Sequence, residues 1–192
     1  MKRILLAAVL LLSVTGCSYL QSIDSVKAIS YAIDSTVLVS SLIELDSTVT
    51  VARVSINENR DKFNVDEWGQ LKLAGERIDS LREQFSRIFG PDVDVKTRIL
   101  SSVKLKQIVG DVFDTYDNVE QIVLLHAEQF TPEQRLQVLT AKRTINSLQS
   151  SYEHIKATAR ANDGETTIDA TELMFEAIKA IKKIARVFID KE

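Results

Sequence analysis

Cysteine is nearly absent from this chain. Its 192 residues hold one, Cys17, so no intrachain disulfide can form and the fold has to be held by packing. Proline appears twice and glycine six times. That is too few for a fold of many tight turns, and it points to long uninterrupted elements. The two histidines, His126 and His154, come without an HExxH motif or a Cys/His cluster, which leaves a zinc-type site without its ligand set. There is no GxSxG turn, no glycine-rich phosphate loop and no carboxylate set spaced as in a di-iron bundle. Serines are plentiful, but none has a base in a recognisable pattern. These absences point away from an enzyme and imply no cofactor and no metal.

The charge balance excludes a further class. The formal net charge is −3, and setting aside Lys2 and Arg3, the charged residues of 1–16, leaves −5. A mildly acidic body lacks the clustered basic surface that nucleic-acid binding requires.

The most marked feature is the opening, MKRILLAAVLLLSVTGCSYL. Lys2-Arg3 is a short positive region, and Ile4 to Val14 is an apolar run of eleven residues. As a helix that run reaches about 16 Å, against roughly 30 Å for the hydrocarbon core of a bilayer, so it reads as a signal peptide and not as a membrane span. The residues Val14-Thr15-Gly16-Cys17 resemble the lipobox of bacterial lipoproteins. The resemblance implies cleavage between Gly16 and Cys17, a diacylglycerol thioether on the Cys17 sulfur and acylation of the new amino group. A thiolate suits that chemistry, being a strong nucleophile. Several acyl chains make such an attachment effectively permanent. The alternative is an ordinary secretory signal in which Cys17 is incidental. Inner-membrane-retained lipoproteins of Gram-negative bacteria typically carry Asp after the cysteine, whereas Ser18 stands here. The resemblance therefore implies delivery to the outer membrane, at its periplasmic face, in preference to the inner membrane or the cell surface.

The expected organisation is a signal peptide over 1–16, a lipidated tether over 17–22 and a single domain over 23–192. The mature chain reads as all-α. In the first helix, from Ile23 to about Asn57, Leu38, Leu42, Leu45, Val49, Ala52 and Ile56 recur at steps of four and three, the stripe of an amphipathic helix. The β-branched stretch within 47–56 also fits a strand; helix is preferred because no partner strand stands out. Asn64 and Glu67 form a capping box opening a second helix, with Trp68, Leu71, Gly75, Ile78, Leu81, Phe85 and Ile88 along one face and a stop at Gly90-Pro91. A third helix is expected from Asp94 to Phe130, about 55 Å long, with Leu105, Val109, Val112, Tyr116, Val119, Val123, His126 and Phe130 in strict alternation. Thr131-Pro132-Glu133-Gln134 caps a fourth, antiparallel helix that ends at Asn162-Asp163-Gly164. A fifth starts near Thr167, with Met174, Ala177, Ile181, Ile184 and Phe188 inward. The expected architecture is an elongated antiparallel bundle of about five long helices with coiled-coil-like packing.

Three groups are candidates for contact with something else. Lys179, Lys182, Lys183 and Arg186 gather in the last helix, either as a solvated face favoured by the helix dipole or as a contact for anionic headgroups or a partner. His126 falls on the apolar seam, either as a hydrogen-bonded structural histidine or as a ligand or proton switch, whereas His154 reads as surface. Phe63, Trp68, Phe85 and Phe89 form either core or the wall of an apolar groove. The expected function is that of a lipid-anchored envelope module that binds a protein partner, accessory to an export, secretion or surface assembly or encoded by a phage. The alternative is a carrier enclosing a lipid or other hydrophobic ligand between its helices.

Overall fold

The computed structural model describes residues 29–90, 96–161 and 167–189. The signal peptide, Cys17, the tether, Asp94 and Asn162-Asp163-Gly164 lie outside them.

Five helices carry the fold: α1 (Val39–Glu58), α2 (Val65–Phe89), α3 (Ser102–Leu125), α4 (Pro132–Ala161) and α5 (Thr171–Arg186). The stretch that also fits a strand is helical throughout. Its threonines bond back to the helix itself, Thr48 Oγ1 to the Glu44 carbonyl at 2.7 Å and Thr50 Oγ1 to the Asp46 carbonyl at 2.8 Å, so the hydroxyls are satisfied without leaving the helix. The stripe Leu38–Leu42–Leu45–Val49–Ala52–Ile56 is buried along its whole length. Both capping boxes form. The Asn64 side chain accepts from the amides of Asp66 and Glu67 while Glu67 accepts from the Asn64 amide. Thr131 and Gln134 exchange the equivalent pair.

Three short strands depart from the all-helical expectation: β1 (Ser30–Asp34), β2 (Thr97–Ser101) and β3 (Thr167–Asp169). They form one sheet in the order β2-β1-β3, with β1 antiparallel to β2 and parallel to β3. Tyr31 sits opposite both Leu100 and Ile168, and these three with Ile33 are buried. The strands take over the first residues of three expected helices. The third helix accordingly begins at Ser102 with Ser101 as its cap, not at Asp94, and its 24 residues span about 36 Å in place of the expected 55 Å. The longest helix, α4, has 30 residues and reaches about 45 Å.

Helices α1 to α4 pack each against the next, and α5 closes the ring between α4 and α1 while also touching α2 and α3. The fifth helix is therefore central. Leu173, Met174, Ala177, Ile178, Ala180, Ile181, Ile184 and Ala185 are all fully buried, well beyond the single stripe expected. Its alanines at 177, 180 and 185 let neighbouring helices approach closely, and only a narrow line of residues faces out.

The chain direction gives the bundle two distinct ends. Helices α1, α3 and α5 start at the sheet and run away from it, while α2 and α4 return. The opposite, distal end is made by the turns at 59–64 and 126–131 and by residues 187–189. Ile29, the first described residue, enters at the sheet.

Candidate functional site

At the distal end a polar cluster forms around the α2 cap. Glu67 Oε2 accepts from the Asn64 amide at 2.8 Å, and its Oε1 lies 3.2 Å from His126 Nδ1. Both side chains are mostly buried, at 15% and 17% exposure. His126 thus sits mostly buried on the seam beside a carboxylate supplied by the neighbouring helix. Its Nε2 is buried with no partner among the described residues. Glu128 brings a third ligand-type atom, all three lying within 4.8 Å of one another, and these are the residues that could hold a cation. The Glu67 carboxylate already serves the cap and the imidazole, which explains the trio without an ion. His154 is exposed, as expected.

Beside this cluster Phe130 stacks between Phe63 and Phe188, with ring centroids 5.9 and 6.4 Å apart. These rings, Ile56, Leu71, Gln129 and Gln134 line a pocket holding about 20 Å³ of water-accessible space, room for roughly one water. Phe85 and Phe89 are fully buried core, and Trp68 is partly buried under the Arg60 guanidinium, 6.0 Å from its ring centroid.

Lys179, Lys182, Lys183 and Arg186 do share one line, the outward face of α5 between α1 and α4. Lys182, only 14% exposed, places Nζ 2.6 Å from Glu44 Oε2 on α1, and Lys179 pairs with Glu176 at 3.0 Å. The hydrogen bond from Lys182 and its charge hold the Glu44 carboxyl below its ordinary range. Lys183 and Arg186 border an open groove of about 430 Å³ with Glu133, Gln137 and Thr140 of α4. The line runs towards the distal end.

A site that sequence reasoning missed lies where β2 meets α3. Lys96, Arg98, Lys104 and Lys106 share one short stretch with Ile99 and Val103, which are 58% and 78% exposed; the alternation of β2 turns Ile99 outward and Arg98 to the inner face, opposite the buried Ile33. Arg98 Nε is buried without a partner among the described residues. The signal was present: residues 95–110 hold four basic residues and no acid. Read as the opening turns of one long helix, however, it had no distinct surface. The Ser-x-x-Lys spacing of Ser101 and Lys104 in this segment is a helix cap, with the Lys104 amide on Ser101 Oγ at 3.2 Å and Lys104 Nζ near Gln107 Oε1 at 3.4 Å.

No helix among the described residues is long and apolar enough to cross a membrane. Membrane residence is decided by the first residues: 1–18 match the family described as the prokaryotic membrane lipoprotein lipid attachment site. The chain carries the anchor of a membrane lipoprotein. No curated protein matches the chain, and no solved structure does. The lipoprotein's helical domain is thus described by its own geometry.

Proposed function

We propose that this lipoprotein is an interaction module of the bacterial envelope, held by its lipid at the periplasmic face of the outer membrane, and that it works by binding a protein partner and not by catalysis. The observation that carries the reading is the lipid attachment site joined to a well-filled helical bundle whose α1 turns an uncharged strip to solvent. Ile43, Val51 and Val54 are 61%, 47% and 50% exposed, and Ser47 and Thr50 lie exposed between them. A surface helix ordinarily carries charge on its outer face. An outward strip of neutral, β-branched side chains is what a partner helix or sheet would cover. Ser18 after Cys17 supports the outer-membrane address by the sorting pattern of Gram-negative lipoproteins.

The carrier alternative has less behind it. The pocket among the distal rings has room for about one water, not an acyl chain, and the larger grooves of about 320 and 430 Å³ are open and lined mostly by polar and charged residues.

The test is site-directed crosslinking in intact envelopes. A photoreactive side chain at Ile43 or Val54 should give a discrete larger species, and one at Lys72, exposed on α2, should not. Recovery of the lipoprotein alone from every position would count against an interaction role.

A further inference from the structure

We infer that the corner formed by β2 and the first turn of α3 is a membrane-contacting surface. It seats the base of the bundle on anionic phospholipid headgroups of the same leaflet that holds the anchor. The inference rests on the reading of this chain as a lipid-anchored protein and adds the orientation in which the domain is held.

Three observations converge on it. The corner is where the chain arrives from the anchor: β1 starts against the end of β2, Ser30 opposite Ser101, and Ser102 Oγ donates to the Ile29 carbonyl at 3.2 Å. Twelve residue steps lead from Cys17 to Ile29, so covalent geometry limits the distance from lipid to corner to roughly 40 Å. The composition of the corner is that of a headgroup contact, with Lys96, Lys104 and Lys106 in the same short stretch as two outward apolar side chains. Cations attract an anionic surface, each strengthening association roughly fivefold, and shallowly inserted apolar groups add to this. Finally, α1, α3 and α5 all begin at this end, so their positive dipole ends add to the attraction.

The neighbouring acids do not cancel this. Asp34, opposite Thr97 and within the field of Lys96, is engaged by the hydroxyl and amide of Thr36 at 2.6 and 2.9 Å; it offsets Lys96 but stands at the other end of β2 from Lys104 and Lys106. Asp169 stands opposite Ala32 on the far edge strand, with its Oδ1 on the Thr171 amide. Asp111 lies two turns up α3. With the corner on the membrane, the distal turns project by about the length of α2, whose 25 residues span roughly 37 Å, and the α1 strip is left free along the side.

The experiment uses the full lipidated chain in vesicles of equal parts phosphatidylcholine and phosphatidylglycerol carrying a headgroup-borne quencher. In the lipidated protein Cys17 is blocked as a thioether, so Val103→Cys or Asn57→Cys introduces the only free thiol for a fluorophore. Quenching at position 103 should exceed that at 57, which is exposed at the distal end of α1, by roughly threefold or more. The difference should shrink when salt rises from about 0.1 M to about 1 M, which shortens the screening length from about 10 to about 3 Å. Lys104→Glu with Lys106→Glu should reduce it likewise, with helical circular dichroism unchanged. Equal quenching at both positions, or the same quenching at 103 in all-phosphatidylcholine vesicles, would overturn the headgroup seat while leaving the anchor intact. Failure of the unlabelled protein to float with vesicles of either composition would overturn the anchor itself, and this proposal with it.

Discussion

Lys182 Nζ lies 2.6 Å from Glu44 Oε2, a bond between the central helix and α1 across 138 residues of sequence. The two partners are unequal, since the lysine side chain is 14% exposed and the glutamate 64%. Removing the glutamate strands a desolvated ammonium, whereas removing the lysine leaves a carboxylate that water can solvate. Glu44→Gln should therefore lower the melting temperature more than Lys182→Met. Equal losses would show that burial of the lysine is unimportant.

The same bond sets a pH dependence. Glu44 is held below its ordinary range by the hydrogen bond and charge of Lys182, and Asp34 by the hydroxyl and amide of Thr36. For Glu120, burial pushes upward, but the hydrogen bond from Lys142 and its charge outweigh it. A folded-state value below the unfolded one gives stability that is present above the ordinary carboxylate range and lost as pH falls through the folded value. Urea midpoints should thus drop between about pH 5 and about pH 3, and Glu44→Gln should flatten that drop. A midpoint that rises on acidification would contradict the assignment.

Position along α5 predicts the cost of truncation. Ile178 is fully buried, whereas Ile43 on α1 is 61% exposed. Ile178→Ala removes side-chain volume from a filled core and should cost about 2–5 kcal/mol, while Ile43→Ala should stay within about 0.5 kcal/mol. Equilibrium denaturation of both variants decides this, and comparable losses would mean that α5 is not the centre of the bundle.

The glycines divide by what surrounds them. A Cβ added at Gly69 or Gly110 would meet nothing within 4 Å, whereas one at Gly90 would run into the Ser86 carbonyl oxygen. Gly69→Ala and Gly110→Ala should each stabilise by about 0.5–1 kcal/mol through helix propensity. Gly90→Ala should destabilise, because the atom in the way is backbone and cannot swing aside. Gly75 is intermediate, its neighbour being only the Ile56 methyl at 3.3 Å. If Gly90→Ala melted no lower than the wild type, the close approach at the α2 terminus would be wrong.

The helices were legible because their information is local. The stripe on α1 and the caps at Asn64 and Thr131 use residues three or four apart, and each is found where the spacing put it. The strands were not legible, because their information is distant. Tyr31 becomes a sheet residue only through Leu100 and Ile168, and a segment of three to five residues has too few alternations to outweigh the helical period around it. The basic residues of α5 were visible as a cluster, but the Glu44 that engages Lys182 lies on another helix. The β2–α3 corner remained hidden for the same reason: Ile99 and Val103 turn outward only because the chain changes from strand to helix at Ser102, beside a residue 73 positions earlier.

Anchoring itself makes the last prediction. With no membrane-crossing helix among the described residues, retention of the mature protein depends on the lipid at Cys17, with the basic corner contributing a salt-sensitive part only. Intact mass should show a wild-type protein that begins at Cys17 and carries acyl chains. Cys17→Ser removes the sulfur that accepts diacylglycerol, so its product should lack acyl mass and the cleavage between Gly16 and Cys17. Detergent should be needed to release the wild type, and high salt alone should not suffice. If the variant lost the same peptide and partitioned as the wild type does, the thiol would be incidental and the first residues an ordinary secretory signal.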